Sequence, residues 1–110
     1  MEAIQLGPLT ITQASKPVFI FEAGINHNGE MIKARLLIAL AYEAGAQVVK
    51  FQLHLPGQEM LPGHPFWDVL SETALNIAQM AELKRHAEDL GMVFLCTPFC
   101  LEAADQLESI

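Results

Sequence analysis

Positive charge is what this chain has least of. Lysine and arginine number 6 against 13 acidic residues, for a formal net charge of −7 at pH 7. Binding along a nucleic-acid backbone needs a basic surface, so the composition argues against that partner. The acids fall mostly on predicted helices, where they read as a solvated face. Long apolar runs are also missing. None approaches the roughly 20 residues that span a bilayer, which argues against a membrane partner. The start, Met1-Glu2-Ala3, has neither the basic region nor the apolar core of a secretory signal. Only two cysteines occur, Cys96 and Cys100. No second Cys/His pair lies near them, so neither a disulfide framework nor a zinc site is expected. Free thiols and a cytoplasmic protein are the expectation.

What the chain does have is apolar bulk. Hydrophobic residues make up 52% of its 110 positions, enough to give one modest domain its own core. Residues 4–11 read as two short strands about a Gly-Pro turn, and 12–17 as a connector. Val18–Ala23 reads as a buried strand, 26–29 as a turn and Glu30–Ala44 as a helix. An apolar stripe of Leu36, Leu37, Leu40, Ala41 and Ala44 marks that helix, and Gly45 caps it. Gln47–Gln52 is a second strand. Leu55–Pro65, with three prolines and two glycines, reads as a loop long for a strand-to-helix connection. Phe66–Ser71 suggests a helical turn. Asn76 and Gln79 form a capping-box pair for a helix through Leu90, with Ile77, Met80, Ala81, Leu83, Ala87 and Leu90 apolar. Met92–Thr97 is a third strand, stopped by Pro98. Leu101–Ser109 starts another helix, with Leu101, Ala104 and Leu107 on one stripe.

This order is a β-hairpin followed by β-α-β-α-β-α, the pattern of parallel strands with right-handed crossovers. Three such strands would leave open edges. The expectation is therefore an α/β fold comprising the first three βα units of a (β/α)8 TIM barrel, which takes about 250 residues in full. Residues 1–110 would be its N-terminal portion.

Two of the strands end in polar groups. Glu22 sits where the first strand should still be buried, and a buried charge costs several kcal/mol unless paired. The second strand closes on Lys50, Gln52 and His54, which alternate and so face one side. Polar groups at the C-terminal ends of parallel strands point to an α/β enzyme site.

The run Glu22-Ala23-Gly24-Ile25-Asn26-His27-Asn28-Gly29 resembles the first strand-turn of the sialic acid synthase family, E-I-G-x-N-H-x-G. Ala44-Gly45-Ala46-Gln47-Val48-Val49-Lys50-Phe51-Gln52 is similar to its A-G-A-x-x-V-K-F-Q. Phe94-Leu95-Cys96-Thr97-Pro98-Phe99 is similar to F-x-S-T-P-F, with Cys96 where Ser is usual. The resemblance implies a synthase that condenses phosphoenolpyruvate with an N-acetylmannosamine-type amino sugar, giving a nine-carbon keto sugar and phosphate. It also implies a divalent metal, Mn2+ or Mg2+, held by histidines beyond Ile110, and an antifreeze-like lid domain there. A homo-oligomer, a dimer, is expected.

By the same resemblance Glu22 contacts the sugar hydroxyls and is the catalytic candidate. The alternative is a glutamate paired with a core lysine such as Lys50 for structure alone. Lys50, Gln52 and Thr97 are candidate phosphoenolpyruvate contacts. Against this stand a solvated lysine, a loop-capping amide and a strand-terminating Thr-Pro turn. Asn26 and His27 would shape the pocket floor, or serve only the turn, as Asn28 and Gly29 do. His54 would line the sugar pocket, or be a rim histidine. Cys96 either loses a serine hydrogen bond or packs as a small hydrophobe. Met60, Phe66 and Trp67 are expected to roof the pocket or pack on the barrel shoulder. Two other readings stay open: a related legionaminate, pseudaminate or spore-coat sugar synthase, and a non-catalytic self-associating partial barrel.

Overall fold

The computed structural model describes residues 2–110. An antiparallel hairpin comes first: β1 (Ile4–Leu6) pairs with β2 (Leu9–Ile11) across the Gly7-Pro8 turn. A parallel sheet follows, in the order β3 (Ile20–Gly24), β4 (Val48–Leu53), β5 (Val93–Pro98). Helix α1 (Met31–Glu43) connects β3 to β4. The β4-to-β5 connection carries α2 (Pro56–Glu59), α3 (Trp67–Thr73) and α4 (Ile77–Asp89), and α5 (Leu101–Glu108) follows β5. The result is an α/β fold with a parallel sheet, as the alternation predicts.

The core lies between the sheet and its helices. Val49, Phe51 and Leu53 alternate along β4 and are fully buried against Ile38 and Ala41 of α1 and Met80, Leu83 and Ala87 of α4. Phe51 stacks on Phe94 of β5 at 5.8 Å between ring centroids. Arg35 on α1 and Glu82 on α4 pair across the two helices. Asn76 closes the expected capping box: its side chain accepts from the Gln79 N–H at 2.9 Å, and its own N–H donates to Gln79 Oε1 at 2.8 Å.

Four expectations need correction. The buried stripe of α1 is Ala34, Ile38 and Ala41, whereas Leu36 and Leu40 are exposed. The helix is apolar nearly all round, so periodicity could not select its inward face. On α5 it is Ala103 and Leu107 that meet the core, and Leu101 at the first helical position is exposed. The segment expected as loop from Leu55 to Pro65 holds the short helix α2, which Pro56 starts at a position where its missing N–H costs nothing. Glu22 is not buried: its side chain is 43% exposed. Helices cover only one face of the sheet, and Glu22 lies on the other.

The turn after β3 is tightly built. Asn28 takes a positive φ of 54° and Gly29 one of 77°. A Cβ at Gly29 would stand 2.6 Å from the Glu72 carbonyl oxygen. Only glycine lets this turn pass so close to α3.

Candidate functional site

The sheet face away from the helices carries the polar strand ends. Glu22 of β3 is in register with Lys50 of β4, and Gln52 of β4 with Thr97 of β5. Lys50 Nζ lies 3.0 Å from Glu22 Oε2. Gln52 Nε2 donates to Glu22 Oε1 at 3.3 Å. Gly24, with φ 56°, leaves room for this contact. A Cβ there would lie 3.3 Å from Glu22 Oε1 and 3.4 Å from Gln52 Nε2. The Glu22–Lys50 pair is partly exposed, so its contribution to stability is at most about 1 kcal/mol. A carboxylate and an ammonium held side by side offer a ligand both hydrogen-bond acceptors and a positive charge.

His54 continues this line into the loop and is 6% exposed. Its Nε2 lies 2.9 Å from Gln52 Oε1, and its Nδ1 lies 2.8 Å from Glu59 Oε1. The Phe99 ring stacks on it at 4.1 Å. Both ring nitrogens therefore engage protein groups. Glu59 was not singled out in the sequence. Its signal was Pro56 at the start of a one-turn helix, with a carboxylate in that turn and a histidine just before it.

The remaining candidates lie apart from this cluster. Asn26 is exposed in the turn, its backbone N–H bonded to the Ala23 carbonyl at 3.0 Å. His27 is 1% exposed and stacks on Phe51, on the helix side of the sheet. It does not form a pocket floor with Glu22. His27 Nδ1 accepts from the Gly29 N–H at 3.0 Å, and the buried Nε2 has no partner among the described residues. Burial pushes the His27 pKa below its ordinary value. Cys96 packs on the helix side, its Sγ 4.0 Å from Met80 Sδ. Of the two alternatives for the missing serine, the small hydrophobe is the one realised. Burial, with a smaller push from the Glu22 carboxylate, raises the Cys96 thiol to about 12. Cys100 Sγ accepts from the Ala103 N–H at 3.4 Å and caps α5. Met60 is half-buried, and Phe66 is exposed.

An apolar cleft of about 460 Å³ lies between the hairpin and the start of β5, lined by Leu6, Pro8, Met92, Val93 and Leu95 among others. It runs from the start of β5 up to Leu95, which is in register with Lys50. No helix of the described residues is long and apolar enough to cross a membrane.

Comparison with known proteins agrees with the strand-end motifs. The chain is 33% identical over 109 residues to N,N'-diacetyllegionaminic acid synthase of Campylobacter jejuni, covering 86% of this chain and 33% of that protein. It is 28% identical over 110 residues to protein MJ1065 of Methanocaldococcus jannaschii, covering all of this chain and 33% of that protein. The crystal structure of N-acetylneuraminic acid (sialic acid) synthetase from Leptospira borgpetersenii, in complex with citrate, superposes with a TM-score of 0.88 at 27% identity. That match covers 98% of this chain and 38% of the other. The chain thus spans about a third of the length of the relatives it matches. The NeuB family profile matches residues 37–110, and on that match and these relatives the chain belongs to the NeuB family.

Proposed function

We propose that this chain supplies the first three βα units of a (β/α)8 barrel. The complete enzyme condenses phosphoenolpyruvate with an N-acetylmannosamine-type amino sugar, releasing phosphate and a nine-carbon keto sugar acid. One observation carries the reading. Glu22, Lys50, Gln52 and Thr97 lie together on the helix-free face, toward the C-terminal ends of three parallel strands, where barrel enzymes hold their chemistry. Membership of the NeuB family supports it.

In this reading C3 of phosphoenolpyruvate attacks the sugar aldehyde carbon, water adds at C2, and phosphate leaves by C–O cleavage. Lys50 meets the carboxylate or phosphate of phosphoenolpyruvate as a point charge with three donors. Gln52 and Thr97 complete that contact. Glu22 accepts hydrogen bonds from the sugar hydroxyls and moves a proton. Asn26, on the exposed turn, borders the same strand end. A divalent metal belongs to the reading, but the described residues do not fit it. They include no group of three His, Cys, Asp or Glu side chains able to hold one. Glu22 and His54 are already engaged by neighbours. The reading places the metal's ligands beyond Ile110. The same reading has the enzyme work as a homo-oligomer in the cytoplasm, where Cys96 and Cys100 stay reduced.

A legionaminate-type sugar is the second reading, favoured by the 33% identity to the Campylobacter enzyme. The test is phosphate release by the full-length protein from phosphoenolpyruvate, with N-acetylmannosamine and with a di-N-acetylated amino sugar. Sugar-dependent release is expected, and the faster sugar chooses between the readings. No release with any amino sugar overturns both and favours the non-catalytic, self-associating module.

A further inference from the structure

We propose that His54 and Glu59 form a clamp that fixes the Gln52 amide and, through it, aims the Glu22 carboxylate. His54 and Glu59 are thus positioning residues for the site; the proposal rests on Glu22 being the working carboxylate.

Donors and acceptors along this line fix one another. An ionised carboxylate only accepts, so Gln52 must turn its NH2 toward Glu22 Oε1. That leaves Gln52 Oε1, also an acceptor, facing His54 Nε2 at 2.9 Å. His54 Nε2 must therefore donate. On the other side of the ring, Glu59 accepts the Leu55 N–H through Oε2 and faces His54 Nδ1 with Oε1. Another acceptor at that position requires His54 Nδ1 to donate as well. Both nitrogens of His54 then donate, each to one fixed acceptor.

The surroundings suit such a ring. The Phe99 ring lies 4.1 Å away and nearly parallel, and an aromatic face attracts a positive ring. The Glu59 side chain is only 9% exposed, so its charge is not screened by water. Along the line Lys50 pairs with Glu22 and His54 with Glu59, and the neutral Gln52 amide joins the two pairs. Reversing the Gln52 amide would set an oxygen against Glu22 and a donor against a donor. The clamp forbids that reversal. An amide free to turn would leave Glu22 Oε1 without its donor on that side.

The test uses the full-length protein labelled with 15N in histidine, with ring-nitrogen spectra assigned by a His54→Asn variant. In the wild type, hydrogens are expected on both Nδ1 and Nε2 of His54. In Glu59→Gln, the Nε2 hydrogen is expected to remain and the Nδ1 hydrogen to be lost. A wild-type His54 without a hydrogen on Nε2 would overturn the proposal, because Gln52 would then be reversed. That spectrum needs no variant, so the test stands if Glu59→Gln fails to fold. In the condensation assay, His54→Phe, which removes the Nε2 donor that holds Gln52, is expected to lower kcat by at least about tenfold. An unchanged kcat contradicts the clamp. A wild type that condenses no amino sugar defeats the functional reading instead, while the ring-nitrogen spectrum still decides whether the clamp exists.

Discussion

At Gly29 the chain passes the Glu72 carbonyl too closely for any side chain, and its φ of 77° lies in the left-handed region. Gly29→Ala is therefore expected to cost more than about 1 kcal/mol, read as a lower urea midpoint. His27 stands beside this turn and carries a pH dependence. Its folded-state pKa is lowered by burial from the ordinary 6.5. As pH falls through 6.5 the unfolded chain takes up a proton that the folded chain refuses, so stability drops until the folded value is reached. Above 6.5 the contribution is fully present. His27→Gln should flatten the fall in urea midpoint between pH 7 and pH 5; an unchanged slope would contradict the assignment. Much at this scale was legible in the sequence. Glu22, Lys50 and Gln52 were marked by polarity at apolar strand ends. The orientations of His27 and Cys96 were not, since a turn histidine and a strand-end cysteine can point to either side.

Strands and capped helices read well as elements because their signals are local. Alternation marks β4, and the Asn76/Gln79 pair marks the start of α4. Asn76→Ala removes an acceptor from the helix terminus and should cost about 1 kcal/mol. A smaller loss on replacement by Gly than by Ala would fit a capping role; equal losses would not. The inward face of α1 was harder to read. Leu36, Leu37, Ile38 and Leu40 are all apolar, and only packing against β4 and α4 chooses Ile38. Helix α2 was hidden for the opposite reason. A one-turn helix among prolines and glycines has no period to detect, yet it delivers Glu59 to His54.

Over the whole molecule, one sheet separates two kinds of chemistry. Its helix side is closed by apolar packing through Phe51, while its other side presents Glu22, Lys50, Gln52 and Thr97. The order of elements made this division legible, since helical crossovers must cover one face. The Glu22 charge was expected to be buried. Within residues 2–110 its face carries no covering helix layer, so the carboxylate meets solvent and Lys50 instead.

In the proposed function Glu22 serves chemistry rather than stability. The direct test compares Glu22→Gln with wild type in the full-length protein, measuring sugar-dependent phosphate release and thermal unfolding together. A fall in kcat of about a hundredfold or more is expected, with a stability change within about 1 kcal/mol. Near-normal turnover in the variant, or a loss of turnover matched by a loss of folded protein, would contradict it.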